Sequence, residues 1–126
     1  MAVFDHLIGN WDRYSGSNMK QSADGTRLYI RDHNIAFQPS VEGARRERHA
    51  RRLLATERFS RQTILALRAI GERDVGALGE PTLGVSETPP LSAEQIRDVL
   101  VRRDEILAHV DALVTRYGAD AVLAFP

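Results

Sequence analysis

The stretch Met19–Arg31, which reads MKQSADGTRLYIR, places Asp24 and Gly25 between two runs of strand-like residues. Asp-Gly in such a setting is a strong signal for a β-hairpin, because glycine readily adopts the positive φ that tight hairpin turns require. The sequence therefore predicts a hairpin at about residues 19–31. In its second strand, Leu28 and Ile30 are expected to face the core, with the neighbouring positions facing the opposite way.

Polar side chains lie at both ends of this predicted hairpin. Asp12 and Arg13 belong to the run GNWDR, Asn18 directly precedes the first strand, and Asp32 follows the second. A hairpin returns the chain to the edge from which it left, so these groups are expected to lie at one edge. The carboxylates of Asp12 and Asp32 are then predicted to lie on the order of 6–10 Å apart, as a shared magnesium–nucleotide site requires.

A carboxylate, an amide and a second carboxylate in this order are the groups that phosphoryl transfer uses. One carboxylate orients the acceptor hydroxyl, and the amide and second carboxylate hold magnesium on the nucleotide phosphates. Magnesium prefers oxygen ligands and usually takes few protein groups besides phosphate and water. Asp12 is therefore the candidate for the acceptor side, and Asn18 and Asp32 are the candidates for the metal side.

The segment 4–37 resembles the catalytic lobe, or C-lobe, of the atypical kinases. That set includes the HipA-like kinases, the phosphatidylinositol kinase-like lobe and the secretory-pathway protein kinases with a similar Gly-Asn-x-Asp-Arg loop. His6–Arg13, HLIGNWDR, is similar to their catalytic loop. Asp32–Phe37, DHNIAF, is similar to their metal-binding segment, the counterpart of Asp-Phe-Gly in ordinary protein kinases.

The resemblance implies a kinase-like C-lobe that transfers the γ-phosphate of ATP to an acceptor in a Mg²⁺-dependent reaction. It implies catalytic roles for Asp12 and Arg13, the latter as support for the loop. It implies that Asn18 and Asp32 bind both the cofactor ATP and the metal. The acceptor is not identified by the sequence.

Three features depart from the family pattern. Ordinary kinases have four residues between the catalytic Asp and the metal Asn, whereas five separate Asp12 from Asn18, so that Ser17 stands where the strict count places the Asn. Tyr14 stands where many relatives have His. The match also begins at residue 4, which leaves no room within the 126 residues for an N-terminal lobe, or N-lobe, with its phosphate-binding Lys; Lys20 is the only lysine and lies in the predicted hairpin.

Each candidate also has a plain structural explanation. Asp12 could cap loop amides, and Asn18 and Asp32 could be turn residues. Arg13 is expected to pair with Asp12 or with a downstream acid, and Asn10 to brace the loop. Two classes of function therefore stay open: the C-lobe of an atypical kinase, incomplete without an N-lobe, and a non-catalytic helical interaction or regulatory module derived from such a lobe. In the first case a partner chain or self-association is expected to complete the site.

Composition points to one soluble globular domain of mixed α+β class, mostly α with one small β-hairpin. Residues 1–40 hold the catalytic loop, hairpin and metal-Asp segment, and residues 41–126 form a helical part with a loop at 71–91. Acidic and basic residues balance at 17 each, and cysteine is absent. No signal peptide or membrane span is evident, so a cytoplasmic location is expected.

The helical part is predicted from capping and periodicity. The Arg-rich run 42–61 is expected to be a solvated linker or helix rather than a nucleic-acid-binding stripe, because acidic residues interrupt it and aromatic residues are nearly absent. A helix is predicted from Thr56 or Ser60 to residue 70, and a long one from Ser92, whose capping-box pattern ends at Gln95. The expected apolar face of the long helix comprises Ile96, Leu100, Leu107, Val110, Val114 and Tyr117, and the tail 121–126 is expected to dock on the body.

Overall fold

The computed structural model describes residues 1–38, 44–77 and 91–126 of the chain. In these residues it contains six helices and one two-stranded antiparallel sheet. The elements are α1 (Ala2–Ile8), β1 (Met19–Gln21), β2 (Leu28–Ile30), α2 (Ala44–Leu54), α3 (Arg61–Ala69), α4 (Glu72–Ala77), α5 (Ala93–Tyr117) and α6 (Ala119–Val122). The prediction of a mostly helical protein with one small hairpin is confirmed.

The hairpin forms where the sequence predicts it. Met19 pairs with Ile30 and Gln21 with Leu28, and Gly25 adopts a φ of +71° in the turn. The expectation that Leu28 faces the core is wrong, because Leu28 is 49% exposed and β1 is exposed throughout. Strand alternation identifies which side chains share a face, but it does not establish that anything packs on that face.

Helix α5 is the central element, and it packs against α1, α3, α4 and α6. It begins with the predicted capping box: Ser92 Oγ accepts from the Gln95 amide at 3.2 Å, and Gln95 Oε1 accepts from the Ser92 amide at 2.7 Å. The predicted apolar face is only partly correct. The buried residues of α5 are Val99, Arg102, Ile106 and Val110.

The face of α5 is therefore rotated relative to the prediction. Tyr117 is exposed, whereas Arg102, expected on the polar side, is buried. Arginine can bury a long apolar stem and satisfy its head on backbone carbonyls, so residue type alone did not reveal this position.

The main core lies between α3, α5 and the C-terminal segment. It contains the buried residues Leu53, Phe59, Ile64, Leu67, Ile106, Val110 and Val122. Ser60 caps α3 by accepting from the Thr63 amide at 3.2 Å, as predicted for one of the two candidate caps. The amide of Phe59 donates to the Val122 carbonyl at 2.8 Å. Ser60 and Phe125 form an isolated parallel β-bridge. The C-terminal segment thus docks on the body, as expected.

One segment beside the core differs from the prediction, and another takes one of the two forms expected of it. The predicted loop at 71–91 contains a short helix, α4, at residues 72–77, and its other part, 78–90, lies outside the described residues. Val75 of α4 is buried. A single buried apolar residue in a segment rich in glycine and proline is too weak a periodic pattern to predict a helix. Helix α2 occupies much of the Arg-rich run. Throughout the described ranges, no helix combines the length and apolar character needed to cross a bilayer.

Candidate functional site

The candidate site begins at the C-terminus of α1. Gly9 adopts a φ of +73° there, and its amide donates to the His6 carbonyl at 3.1 Å. The next amide, of Asn10, donates to the Asp5 carbonyl at 2.8 Å, which closes the helix. Glycine suits this left-handed cap because it has no Cβ. The turn directs the chain from α1 into the loop 10–18.

Arg102 favours glycine at this position for a second reason. Its Nε donates to the Leu7 carbonyl at 2.9 Å, which satisfies an unpaired carbonyl at the end of α1. The guanidinium then lies so close to Gly9 that a Cβ at this position would be 3.3 Å from Arg102 Cζ. Burial lowers the pKa of Arg102, while Asp98 and Glu105 oppose that change. Helix α5 therefore supports the start of the loop directly.

Asn10 joins the two halves of the candidate site. Its side chain is fully buried. The Oδ1 atom accepts from the Asp12 amide at 3.1 Å, and Nδ2 donates to the Asp32 carbonyl at 3.5 Å. One carboxamide thus holds the backbones of both aspartates. The expected bracing role of Asn10 is confirmed by these bonds, whereas the separation of the two carboxylates stays a prediction.

Arg13 is the second connection, and its side chain is also completely buried. Its Nε donates to Asp5 Oδ1 at 2.9 Å, and NH1 donates to the Arg31 carbonyl at 2.8 Å. Its NH2 lies 3.1 Å from Nδ1 of His33, which accepts this bond. The expectation of a pair with Asp12 or a downstream acid is wrong: the carboxylate partner is Asp5, upstream on α1. A buried guanidinium needs a buried anion, and α1 provides it.

These two connections leave the side chains of the predicted site residues available. Asp12 is half-buried, Asn18 is half-buried and Asp32 is exposed. Asn18 Nδ2 donates to the Asp12 carbonyl at 3.3 Å, which leaves Asn18 Oδ1 open as an acceptor. Asp32 adopts a φ of +60°, and its Oδ1 accepts a long bond of 3.4 Å from the Asn34 amide. Within the described residues, no group donates a hydrogen bond to the Asp12 carboxylate.

The donor set at this edge fits a hard cation with few protein ligands. The open oxygen of Asn18 and the carboxylate of Asp32 are the oxygen types that magnesium prefers. In the described part of the chain, no group of three or more His, Cys, Asp or Glu could hold a metal ion. An amide and a carboxylate alone would leave magnesium mostly hydrated, so a site here would depend on phosphate oxygens for the remaining ligands.

Behind the loop lies a pair of histidines, of which His6 is buried and His49 is half-buried. His6 and His49 stack with ring centroids 4.7 Å apart. Nε2 of His6 lies 2.8 Å from Glu105 Oε2, and Nε2 of His49 lies 3.0 Å from the Asp5 carbonyl. Burial lowers the pKa of His6, against the opposing effect of Glu105. Burial, and next the proximity of His6, lower the pKa of His49 to about 4. Both rings are therefore neutral at neutral pH.

Several of these supporting residues were not found from the sequence. Asp5, His49 and Arg102 carry no motif, and each acts through a partner distant in sequence or across a helix. The signal that could have revealed Asp5 is its position on the same short helix as Leu7 and Ile8, just before a loop that contains an arginine. The only sequence signal for the burial of Arg102 is its helical spacing, three positions after Val99 and four before Ile106.

The chain was compared with family models, with curated proteins and with solved structures, and none of the three comparisons found a match.

Proposed function

We propose that the chain is the C-lobe of an atypical kinase, in which residues 1–38 form the catalytic and metal-binding edge. The observation that carries this proposal is the fully buried Asn10, whose carboxamide binds the Asp12 amide and the Asp32 carbonyl. The same pair of segments is joined again by Arg13. Two buried polar side chains are thus committed to joining the backbone at Asp12 to the segment 31–33, which core packing alone does not require.

Asp12 is the proposed acceptor-orienting residue. Its carboxylate has no hydrogen-bond donor among the described residues, so it is free to accept the proton of an acceptor hydroxyl. In the reaction, the hydroxyl oxygen forms a bond to the γ-phosphorus of ATP, and the bond from that phosphorus to the β–γ bridging oxygen breaks. The hydroxyl proton passes to Asp12, and ADP leaves with the bridging oxygen.

Asn18 Oδ1 and the Asp32 carboxylate are the proposed ligands of Mg²⁺. When bound, magnesium neutralises charge on the nucleotide phosphates. The bond from Asn18 Nδ2 to the Asp12 carbonyl orients the amide so that its oxygen is available, and it also couples the metal side of the site to the acceptor side. The one-residue longer spacing is accommodated at Gly16, which adopts a φ of +57° with open space around it.

An upper lobe is required by this proposal, and the 126 residues contain no segment with a Gly-rich loop and a lysine-bearing strand. The hairpin exposes apolar side chains, including Leu28 at 49% and Tyr29 at 56%. We propose that this exposed hairpin surface is covered when the site is completed by a partner chain or by self-association.

The test uses Mn²⁺ as a paramagnetic substitute for Mg²⁺. We expect ADP and Mn²⁺ together to broaden the amide NMR signals of Asn18 and Asp32 before others, and Asp32→Ala to remove this effect. Asp24→Ala is the matched control, since Asp24 is an exposed acid at the far end of the same hairpin. Broadening that survives in Asp32→Ala, or that is centred on Asp24, would contradict the proposed site.

The second candidate is a non-catalytic interaction or regulatory module derived from a kinase lobe. It is favoured by the same exposed apolar side chains on the hairpin. The two candidates differ in what the carboxylates do. For a kinase lobe with an activating partner, Asp12→Asn should abolish phosphotransfer while leaving the complex with that partner intact. For a non-catalytic module, Asp12→Asn should have no effect on partner binding, whereas Leu28→Lys should abolish it.

A further inference from the structure

A third residue braces the loop that carries Asp12, and it comes from α2. NH1 of Arg52 donates to the Trp11 carbonyl at 3.1 Å. The guanidinium carbon of the same side chain lies 4.3 Å from the centroid of the Tyr14 ring. Trp11 and Tyr14 are the residues on either side of the pair Asp12-Arg13, so a single guanidinium holds both flanks of that pair.

The contacts of Arg52 are different in kind from those of Arg13. Arg13 is buried and holds the loop from inside through Asp5. Arg52 is half-buried and, within the described ranges, forms no ion pair; its contacts are a carbonyl and an aromatic ring. A guanidinium over a tyrosine face is attracted by the ring electrons, more strongly where water is partly excluded. The interaction is therefore specific to an aromatic ring at position 14.

Helix α2 is itself fixed against the site by a second contact on the same face. His49, three residues before Arg52, lies with its Nε2 3.0 Å from the Asp5 carbonyl. Residues three apart lie on one side of a helix. The docking of α2 on α1 therefore places Arg52 over the loop, and the position of α2 is transmitted to the residues next to Asp12.

We propose that Arg52 is a positioning residue, which fixes the loop 11–18 through the Trp11 carbonyl and the Tyr14 ring and thereby sets the direction of Asp12. Its relevance to phosphotransfer rests on the proposed function, but the conformation of the loop is measurable without it. The departure from the family pattern at position 14 follows from this pairing: the tyrosine ring is the surface on which Arg52 lies.

Amide hydrogen exchange followed by NMR tests this directly. Three loop amides are hydrogen-bonded and report on it: Asp12 to Asn10 Oδ1, Ser15 to the Asp12 carbonyl and Asn18 to the Ser15 carbonyl. We expect Arg52→Met to speed their exchange about three- to tenfold, the range of one such contact. Amides in the middle of α5 should be unchanged.

Arg51→Met is the matched control. Arg51 is the neighbouring arginine on α2, and its side chain is 77% exposed in a surface pair with Glu47. It should leave loop exchange at the wild-type rate. Equal exchange in the Arg52→Met and Arg51→Met variants would overturn the proposal.

Substitutions at Tyr14 separate the ring contact from a general effect on the fold. Tyr14→Phe keeps the ring and should keep slow exchange, whereas Tyr14→Leu should speed exchange as Arg52→Met does. The double variant Arg52→Met/Tyr14→Leu should be no faster than the faster single variant, because both remove one interaction. Additive effects, or slow exchange in Tyr14→Leu, would show that the ring is not part of the brace.

The only tryptophan of the chain gives an independent readout. Trp11 accepts the Arg52 bond through its carbonyl, so its fluorescence emission should shift in Arg52→Met and not in Arg51→Met. If Arg52→Met destabilises the whole fold, α5 amides will also exchange faster, and Tyr14→Leu, at an exposed ring, then decides. Failure of the Mn²⁺ experiment with an intact exchange result would remove the proposed metal site while leaving the positioning role of Arg52 in place.

Discussion

At the scale of single residues, Arg13 determines whether the candidate site holds together. It is fully buried, and its guanidinium binds Asp5, the Arg31 carbonyl and His33 at once. Removing one member of a buried ion pair is strongly destabilising, because the remaining charge keeps its desolvation penalty without the compensating bond. The same side chain therefore links α1, the loop and the end of the hairpin.

We predict that Arg13→Met lowers the free energy of unfolding by about 3–5 kcal/mol, the usual cost of breaking a buried ion pair. Urea unfolding followed by circular dichroism measures this. Arg27→Met, at an exposed arginine of the hairpin, should change stability by no more than about 0.5 kcal/mol. The double variant Asp5→Leu/Arg13→Met should recover part of the loss, since no charge is then buried alone. A loss in Arg13→Met as small as in Arg27→Met would contradict the assignment.

Gly9 offers a prediction in which strain and contact can be separated. Gly9→Ala places a Cβ in a left-handed conformation, at a cost of about 1–2 kcal/mol, and also against the Arg102 guanidinium. Gly16→Ala carries the strain alone, because nothing lies within 4 Å of its Cβ position. We expect Gly9→Ala to be the more destabilising in urea titrations, with the difference reporting the Arg102 contact. Equal losses would show that Arg102 moves away freely.

At the scale of elements, the packing of α2 on α1 is sensitive to pH through His49. Its pKa is lowered to about 4 in the fold from an ordinary value of 6.5. Between these values the unfolded chain binds more protons, so stability rises with pH across this window. The stabilisation is fully present above about pH 6.5 and is lost as pH falls towards 4.

We therefore expect stability to decrease on acidification from pH 6.5 to 4 by about 2 kcal/mol through this group, less than the full shift implies because the ring is only half-buried. His49→Gln keeps a donor for the Asp5 carbonyl but does not titrate, so its stability should depend less on pH in this range. The measurement is the urea midpoint of both proteins at several pH values. Parallel pH profiles would contradict the prediction.

The elements also show where sequence reasoning succeeds. The capping box at Ser92 and the Asp24-Gly25 turn are local signals, and both define their elements as predicted. The exposed Leu28 and the buried Arg102 were placed on the wrong side. What covers a strand face, and which carbonyl satisfies a guanidinium, depend on residues distant in sequence.

The candidate site divides in the same way. The order of Asp12, Asn18 and Asp32 around a hairpin could be taken from the sequence, and so could the bracing role of Asn10. The partner of Arg13 could not, because Asp5 lies eight residues earlier on α1, whereas Asp12 or a downstream acid was expected. The brace from Arg52 depends on the docking of α2, which no local pattern specifies.

At the scale of the whole molecule, we predict that these 126 residues alone neither bind Mg-ATP tightly nor turn it over. A kinase cleft lies between two lobes, and the proposed site supplies two oxygen ligands and no phosphate-binding lysine from above. Calorimetry with Mg-ATP, together with a phosphate-release assay, measures both. A micromolar dissociation constant that Asp32→Ala abolishes would show instead that the chain is a self-sufficient nucleotide site.

The support that α5 gives to α1 has a consequence for the order in which the protein can mature during translation. The candidate loop is made first, yet Arg102 and Glu105, which hold the Leu7 carbonyl and His6, are 95 and 99 positions further along the chain. These contacts cannot form before α5 has been made, and contacts of such long sequence separation are slow to form. A nascent chain whose α5 has not yet emerged from the ribosome therefore carries every proposed catalytic group but lacks the contacts that hold the Leu7 carbonyl and His6.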